Sequence, residues 1–288
     1  MSLCDKIEAG SFVITSEIGP PKGTDIREIL DDAAALKGRV DAINVTDLQS
    51  SVMRMGSLAV CHLLIERGIE PVFQVTCRDR NRLALQSDLL SANALGIENV
   101  VILTGDYPTL GDHPEAKPVF DLDSVELLEV AKTLQAGTDM KGNPLKGAPS
   151  FCVGAVVNPN ADPLEPEIIK MEKKIASGAR FFQTQAVYDV AQFARFIDSS
   201  KHLKTTILAG VLLLKSAGMA RFMNKNVAGI SVPDDLIGEM DSAKDKAATS
   251  IDIAARLIRQ LQPLCQGIHI MPIGWNKKVP LVLDAAGL

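Results

Sequence analysis

The chain has 288 residues, 47% hydrophobic and 23% charged, the composition of an ordinary soluble globular protein. Its net charge of −5, without a basic stripe carrying interleaved aromatics, argues against a nucleic-acid partner. The longest apolar run, ILAGVLLL (207–214), is too short to span a bilayer, and no signal-like segment opens the chain, so a cytoplasmic protein with no membrane partner is expected.

The first candidate strand, FVITSE (12–17), ends on Glu17 and runs into IGPPKG. Glu17 reads either as a solvated turn acid or as a general acid, since a partly desolvated carboxyl suits proton donation. VDAINVTD (40–47) delivers Thr46 and Asp47, and after Gly68 EPVFQVTC (70–77) delivers Thr76. The CRDRNR segment that follows (77–82) reads as a solvated helix start in preference to a ligand or partner contact.

After Gly96, ENVVILTG (98–105) leads into Asp106, which is either an Asx-turn residue for the loop beginning YP or an anion placed for a ligand. DSVELLEVAKTL (123–134) is helical, with Val125, Leu128, Ala131 and Leu134 on one stripe and a capping box from Asp123 to Glu126. FCVGAVVN (151–158) ends on Asn158, in an Asn-Pro-Asn equally suited to plain turn chemistry. LEPEIIKMEKKIASG (164–178) is a second helix, striped by Ile168, Met171 and Ile175, with Lys173 and Lys174 either on a solvated face or reaching a pyrophosphate.

RFFQTQ (180–185) carries Gln183 and Gln185; Gln185 is a core amide or a partner for a heteroaromatic ligand. One of the adjacent Phe181 and Phe182 must point out into a helical shell. TTILAGVL (205–212) and GIHIMPIG (267–274) complete the strands, and Asn276 lies just beyond the last. Segments 107–122, 136–150 and 226–245 read as loop insertions. The four histidines form no pair at ligand spacing, and the five cysteines no CxxC pair, so no metal site is expected and the thiols read as reduced.

Strict β-then-α alternation implies parallel strands, and eight such units fit an α/β fold of the (β/α)8 TIM barrel type, a single domain over 1–288. A doubly wound sheet fits less well, because Pro20 and Pro21 remove backbone N–H groups where its phosphate turn would need them. In such barrels chemistry gathers where the strands end. Glu17, Thr46, Asp47, Thr76, Asp106, Asn158, Gln183 and Gln185 all sit there, with Asn276 beyond.

TSEIGPPKG, NVTD, QVTCRDRNR, LTGDYP and FFQTQAVYD, in this order, resemble the methylenetetrahydrofolate reductase family, from about Phe12 to Asp284. The length matches its short bacterial type. The resemblance implies a barrel that binds FAD and passes hydride through the flavin, by a ping-pong route, to 5,10-methylenetetrahydrofolate, giving 5-methyltetrahydrofolate. It implies Glu17 as general acid, Asp106 near flavin and pterin, and Gln185, with Gln183, on the folate. Around the FAD it implies Thr46, Gln74, Thr76, Thr104, Gly105, Asp106, Asn158 and Lys174. Departures cluster on the flavin and donor side: Gln74 replaces a histidine, Thr104 an arginine, Asn158 a tyrosine, and Ala186 and Val187 phenylalanines. The donor is then NAD(P)H or a reduced iron–sulfur partner chain, and a homo-oligomer or a complex with that chain is expected. Two other readings are a related reductase acting on another one-carbon pterin with a deazaflavin donor, and a flavin-free barrel subunit that binds folate or a partner.

Overall fold

The handovers from helix to strand turn on glycine. Gly68, Gly96 and Gly178 adopt φ of 62°, 81° and 106°, a region that side chains with a Cβ rarely enter, and each lies just ahead of a strand. In the computed structural model, which describes residues 1–288, the strands are β1 (Val13–Ile18), β2 (Ala42–Val45), β3 (Pro71–Thr76), β4 (Asn99–Leu103), β5 (Cys152–Val157), β6 (Phe181–Ala186), β7 (Thr206–Leu212) and β8 (Gly267–Met271). They pair in parallel in sequence order and β8 closes on β1, so the architecture is the expected (β/α)8 TIM barrel. The last strand stops at Met271 rather than at residue 274, where Pro272 can no longer donate to the ladder.

The helices are α1 (Leu3–Glu8), α2 (Arg27–Leu36), α3 (Ser57–Ile65), α4 (Arg82–Ala94), α5 (Ser124–Gln135), α6 (Glu165–Ala176), α7 (Val190–Ser200), α8 (Ala217–Asn226), α9 (Asp234–Ser242), α10 (Lys246–Leu261) and α11 (Val279–Ala286). None is long and apolar enough to cross a membrane. The capping box of α5 is present as read, Asp123 accepting from Val125 and Glu126 while Glu126 accepts from the Asp123 N–H. Along that helix Leu128, Ala131 and Leu134 are buried and Val125 is half-buried.

Two helices differ from expectation. Segment 226–245 is not all loop: α9 forms within it, with acidic Asp234 and Asp235 in its first turn and Ile237 and Met240 buried. Helix α1 was not foreseen. Its Ser2–Asp5 capping box starts a short segment whose Leu3 and Ile7 plug the N-terminal end of the barrel.

Alternate residues of each strand point inward, and at that closed end they are apolar. Val13, Val72, Val101 and Phe181 pack there with Leu3 and Ile7, whereas Phe182 points out into the shell between strands and helices. The adjacent phenylalanines thus divide between the two layers. Burying the Phe181 ring contributes about 1.5–3 kcal/mol, and Gly154 makes room for it. A Cβ on Gly154 would stand 2.3 Å from the ring.

Gly154→Ala is therefore expected to destabilise the barrel by about 1–3 kcal/mol through overpacking, read as a lower urea midpoint at unchanged m-value. An unchanged midpoint would mean that the ring has room to move aside.

Candidate active site

Above the apolar floor the barrel interior turns polar. Asn44 and Gln183 exchange amide bonds at 2.8 and 3.1 Å, and Gln183 Nε2 also donates to Thr15 Oγ1 at 3.3 Å. Thr15 Oγ1 lies 2.9 Å from His269 Nδ1. Besides accepting from Gln183, the threonine hydroxyl thus hydrogen-bonds the His269 ring and fixes its orientation. The other ring nitrogen, Nε2, faces Glu17 Oε2 at 3.7 Å, close but beyond hydrogen-bond range.

Glu17 closes this column at the C-terminal end of β1. The residue is only 7% exposed, and its other carboxyl oxygen accepts from Gln49 Nε2 at 3.3 Å. The carboxyl is thus not a solvated turn acid. It looks into a cavity of about 450 Å³ at the strand ends, within the range of small-molecule sites. Gln183 belongs to the supporting column, with both amide groups committed below Glu17.

The cavity brings together every expected site residue: Glu17, Thr46, Gln74, Thr76, Thr104, Gly105, Asp106, Asn158, Lys174, Gln183 and Gln185. Their freedom differs. Asp106 and Thr104 are exposed at the rim, and Asp106 presents its carboxylate there while its carbonyl accepts from Arg78 and Ser51. Gln185 is half-buried, its Oε1 taken by the Ala186 N–H. Thr76 Oγ1 donates to Asp47, and Asn158 Oδ1 accepts from the Asn160 N–H while its own N–H goes to Glu167, the turn chemistry considered for it. Gly105 has φ of 92° and would place a Cβ 3.1 Å from the Cβ atoms of Arg78 and Thr76, so glycine lets the β4 turn close over β3.

Lys173 and Lys174 part company. Lys173 is exposed, whereas Lys174 is 3% exposed, takes a place on the buried stripe of α6 and donates to the Val156 carbonyl at 2.5 Å. Burial, reinforced by the Lys170 charge, pushes its ammonium down to about 8. Ile175, expected on that stripe, is only half-buried.

Two expectations are corrected here. The CRDRNR segment is only in part a solvated helix start: Asn81 caps α4 and Arg82 is exposed against Asp121. Arg78 and Arg80 instead turn inward, Arg80 gripping the buried Asp47 carboxylate with both terminal nitrogens. Unpaired, Asp47 would be costly in that position. Asn276 does not join the rim. Its amide donates to Asp32 on α2 at 2.6 Å.

His269 and Gln49 line or touch the site without having been singled out, whereas Arg78 belongs to the CRDRNR segment, for which a ligand or partner contact is the second reading. The signal for His269 was its inward parity between Gly267 and Met271. Gln49 carries no sequence signal beyond its polarity in a loop at a strand end.

The donor set fits a flavin in part. The Gln74 amide has no protein partner, Thr104 and Gln185 offer further polar atoms, and Lys170 and Lys174 are the cations near a phosphate position. No Phe, Tyr or Trp lines the cavity; Leu48, Leu103, Val156, Val157 and Met271 supply its apolar surface.

Comparison with known proteins gives a consistent assignment. Residues 2–287 match the family model described as methylenetetrahydrofolate reductase. Methylenetetrahydrofolate reductase 2 of Schizosaccharomyces pombe is 26% identical over 100% of this chain and 47% of its own length. The 5,10-methylenetetrahydrofolate reductases of Pectobacterium carotovorum and Escherichia coli are 26% and 23% identical, over 70% and 86% of this chain and 64% and 80% of theirs. The chain thus spans about half of the yeast relative and somewhat under two thirds of the Pectobacterium one. A Clostridium thermocellum structure described as binding two copies of 5-methyl-5,6,7,8-tetrahydrofolic acid superposes with a TM-score of 0.73 at 18% identity over 99% of each chain, a likeness of fold. The chain belongs to the methylenetetrahydrofolate reductase family.

Proposed function

We propose that this barrel reduces 5,10-methylenetetrahydrofolate to 5-methyltetrahydrofolate with an FAD at its mouth, drawing electrons from NAD(P)H or a reduced iron–sulfur partner. The observation that carries this reading is the Glu17 carboxyl, buried yet open to the cavity between His269 and Gln49. The five free thiols suit a reducing, cytoplasmic setting.

A flavin held there would supply the hydride chemistry for the folate's one-carbon unit. The chain's own residues do the rest. Opening the methylene bridge to an iminium requires a proton on a ring nitrogen, and Glu17 is the acid placed to deliver it. The Gln49 amide holds the carboxyl in place, and His269 Nε2 faces it from the other side when it is left ionised. The Gln185 amide can donate and the Asp106 carboxylate accept along a pterin edge, while Gln183 acts from below by ordering Thr15 and His269. Thr46, Gln74, Thr76, Thr104, Gly105 and Asn158 would border the flavin. Lys174, with one of its three N–H groups on the Val156 carbonyl, and the exposed Lys170 would be the cations for its phosphates.

A binding-only barrel is the second reading. The burial of Lys174 and the lack of a Phe, Tyr or Trp wall favour it. Colour separates the two: the purified chain should show flavin bands that bleach anaerobically with a suitable donor and return on adding methylenetetrahydrofolate. A colourless chain that cannot be loaded with FAD would overturn the reductase reading.

Glu17→Gln should keep flavin reduction by the donor while slowing the folate step by about 10²–10⁴-fold, the usual worth of a general acid. Near-normal folate turnover in that variant removes Glu17 from the role. Asp106→Asn should raise the KM for folate by about tenfold, the loss of one charged hydrogen bond; an unchanged KM takes Asp106 out of the site.

A further inference from the structure

A strained loop and a buried arginine stand over the Glu17 carboxyl. Between β2 and α3, Leu48, Ser50 and Ser51 adopt φ of 47°, 56° and 58°, each unfavourable for a residue with a Cβ. Such a run persists only where its surroundings over-determine it. Gln49, the residue whose amide reaches Glu17, lies inside it.

Arg78 supplies the determination. Its side chain is 2% exposed. Nη1 donates to Ser51 Oγ at 3.0 Å and to the Asp106 carbonyl at 3.3 Å, and Nη2 to the Leu48 carbonyl at 3.3 Å. Nε and Nη2 hold the Asp79 carboxylate at 2.9 and 2.7 Å. These contacts occupy all five guanidinium N–H groups. Although Arg78 borders the cavity, none is left for a ligand's phosphate or carboxylate.

The β4 loop completes the suture. Ser51 Oγ lies 2.9 and 3.1 Å from the Asp106 and Tyr107 carbonyls, and the Met53 N–H donates to Asp112 Oδ1 at 2.9 Å. Gly111 packs so closely on Ser51 that a Cβ would stand 1.9 Å from its carbonyl oxygen. The loops after β2, β3 and β4 are therefore joined at one guanidinium.

We propose that Arg78 is a positioning residue, which latches the 48–51 loop across the mouth and so holds the Gln49 amide on Glu17. Its catalytic consequence rests on the reductase reading above, whereas the latch itself does not. Lysine cannot substitute fully, because an ammonium lacks the planar fork that reaches Ser51, Leu48 and Asp79 together.

The test combines amide hydrogen exchange with single-turnover oxidation of the reduced, FAD-loaded full-length chain by methylenetetrahydrofolate. Arg78→Gln should raise exchange across 48–53 by about tenfold or more, with β1 and β6 unchanged, and Arg78→Lys should fall between it and the parent. Gln49→Leu should leave exchange as in the parent, yet slow the folate step by about tenfold, as should Arg78→Gln, with flavin reduction by the donor unaffected. The double variant should be no slower than Arg78→Gln alone. Unchanged exchange in Arg78→Gln, or an additive double variant, overturns the proposal. Should Arg78→Gln not fold, Ser51→Ala takes its place, with raised exchange in 48–53 expected and unchanged exchange contradicting the latch. A parent chain that fails to oxidise reduced flavin with the folate would defeat the reductase reading instead, and the exchange result alone would then decide the latch.

Discussion

The site depends on the hydrogen-bond column beneath Glu17. A carboxyl at the mouth of a barrel can face many ways, and only neighbours with fixed orientations make it a useful acid. Here the paired amides of Asn44 and Gln183 orient the Thr15 hydroxyl, which orients the His269 ring, whose Nε2 faces the carboxyl. Every member lies inside the barrel and comes from a different strand, so barrel closure is what assembles the column. A half-satisfied polar layer would weaken this interior. The bonds between these four side chains are what make a polar layer tolerable above the apolar floor.

The upper half of the site is built differently, from loops rather than strands. Asp47 is neutralised by Arg80, and Arg78 joins three loops above the cavity. The buried Arg78 and the half-buried Arg80 thus hold in place a rim that the parallel sheet alone would leave free. Lys174 extends the same economy on the β5 side, where a buried ammonium serves a strand-end carbonyl.

Much of this was legible in the sequence, for identifiable reasons. Short β-branched runs, left-handed glycines and the Asp123 capping box report on local conformation, and local conformation follows from the residues themselves. Strand-end polarity identified the cavity because a barrel gathers those ends at one face. The parts that were not legible depend on partners distant in sequence. Gln183 faces the same interior as Gln185, yet its amide is spent on Asn44 and Thr15. His269 had no histidine partner at ligand spacing because its partners are a threonine and a carboxylate on β1. A left-handed Leu48 has no sequence signature, and the burial of Arg78 and Lys174 runs against the usual rule for charged side chains.

The most direct test of the column is a double-mutant cycle on the folate step. Thr15→Val removes the hydroxyl that orders His269, and Glu17→Gln removes the acid itself. If the column acts through Glu17, the rate at which methylenetetrahydrofolate reoxidises the bound flavin should fall in each single variant, and Thr15→Val should cost little more once Glu17 is already glutamine. A Thr15→Val chain that reoxidises at the parent rate, or a fully additive double variant, would contradict the dependence of the acid on the barrel interior beneath it.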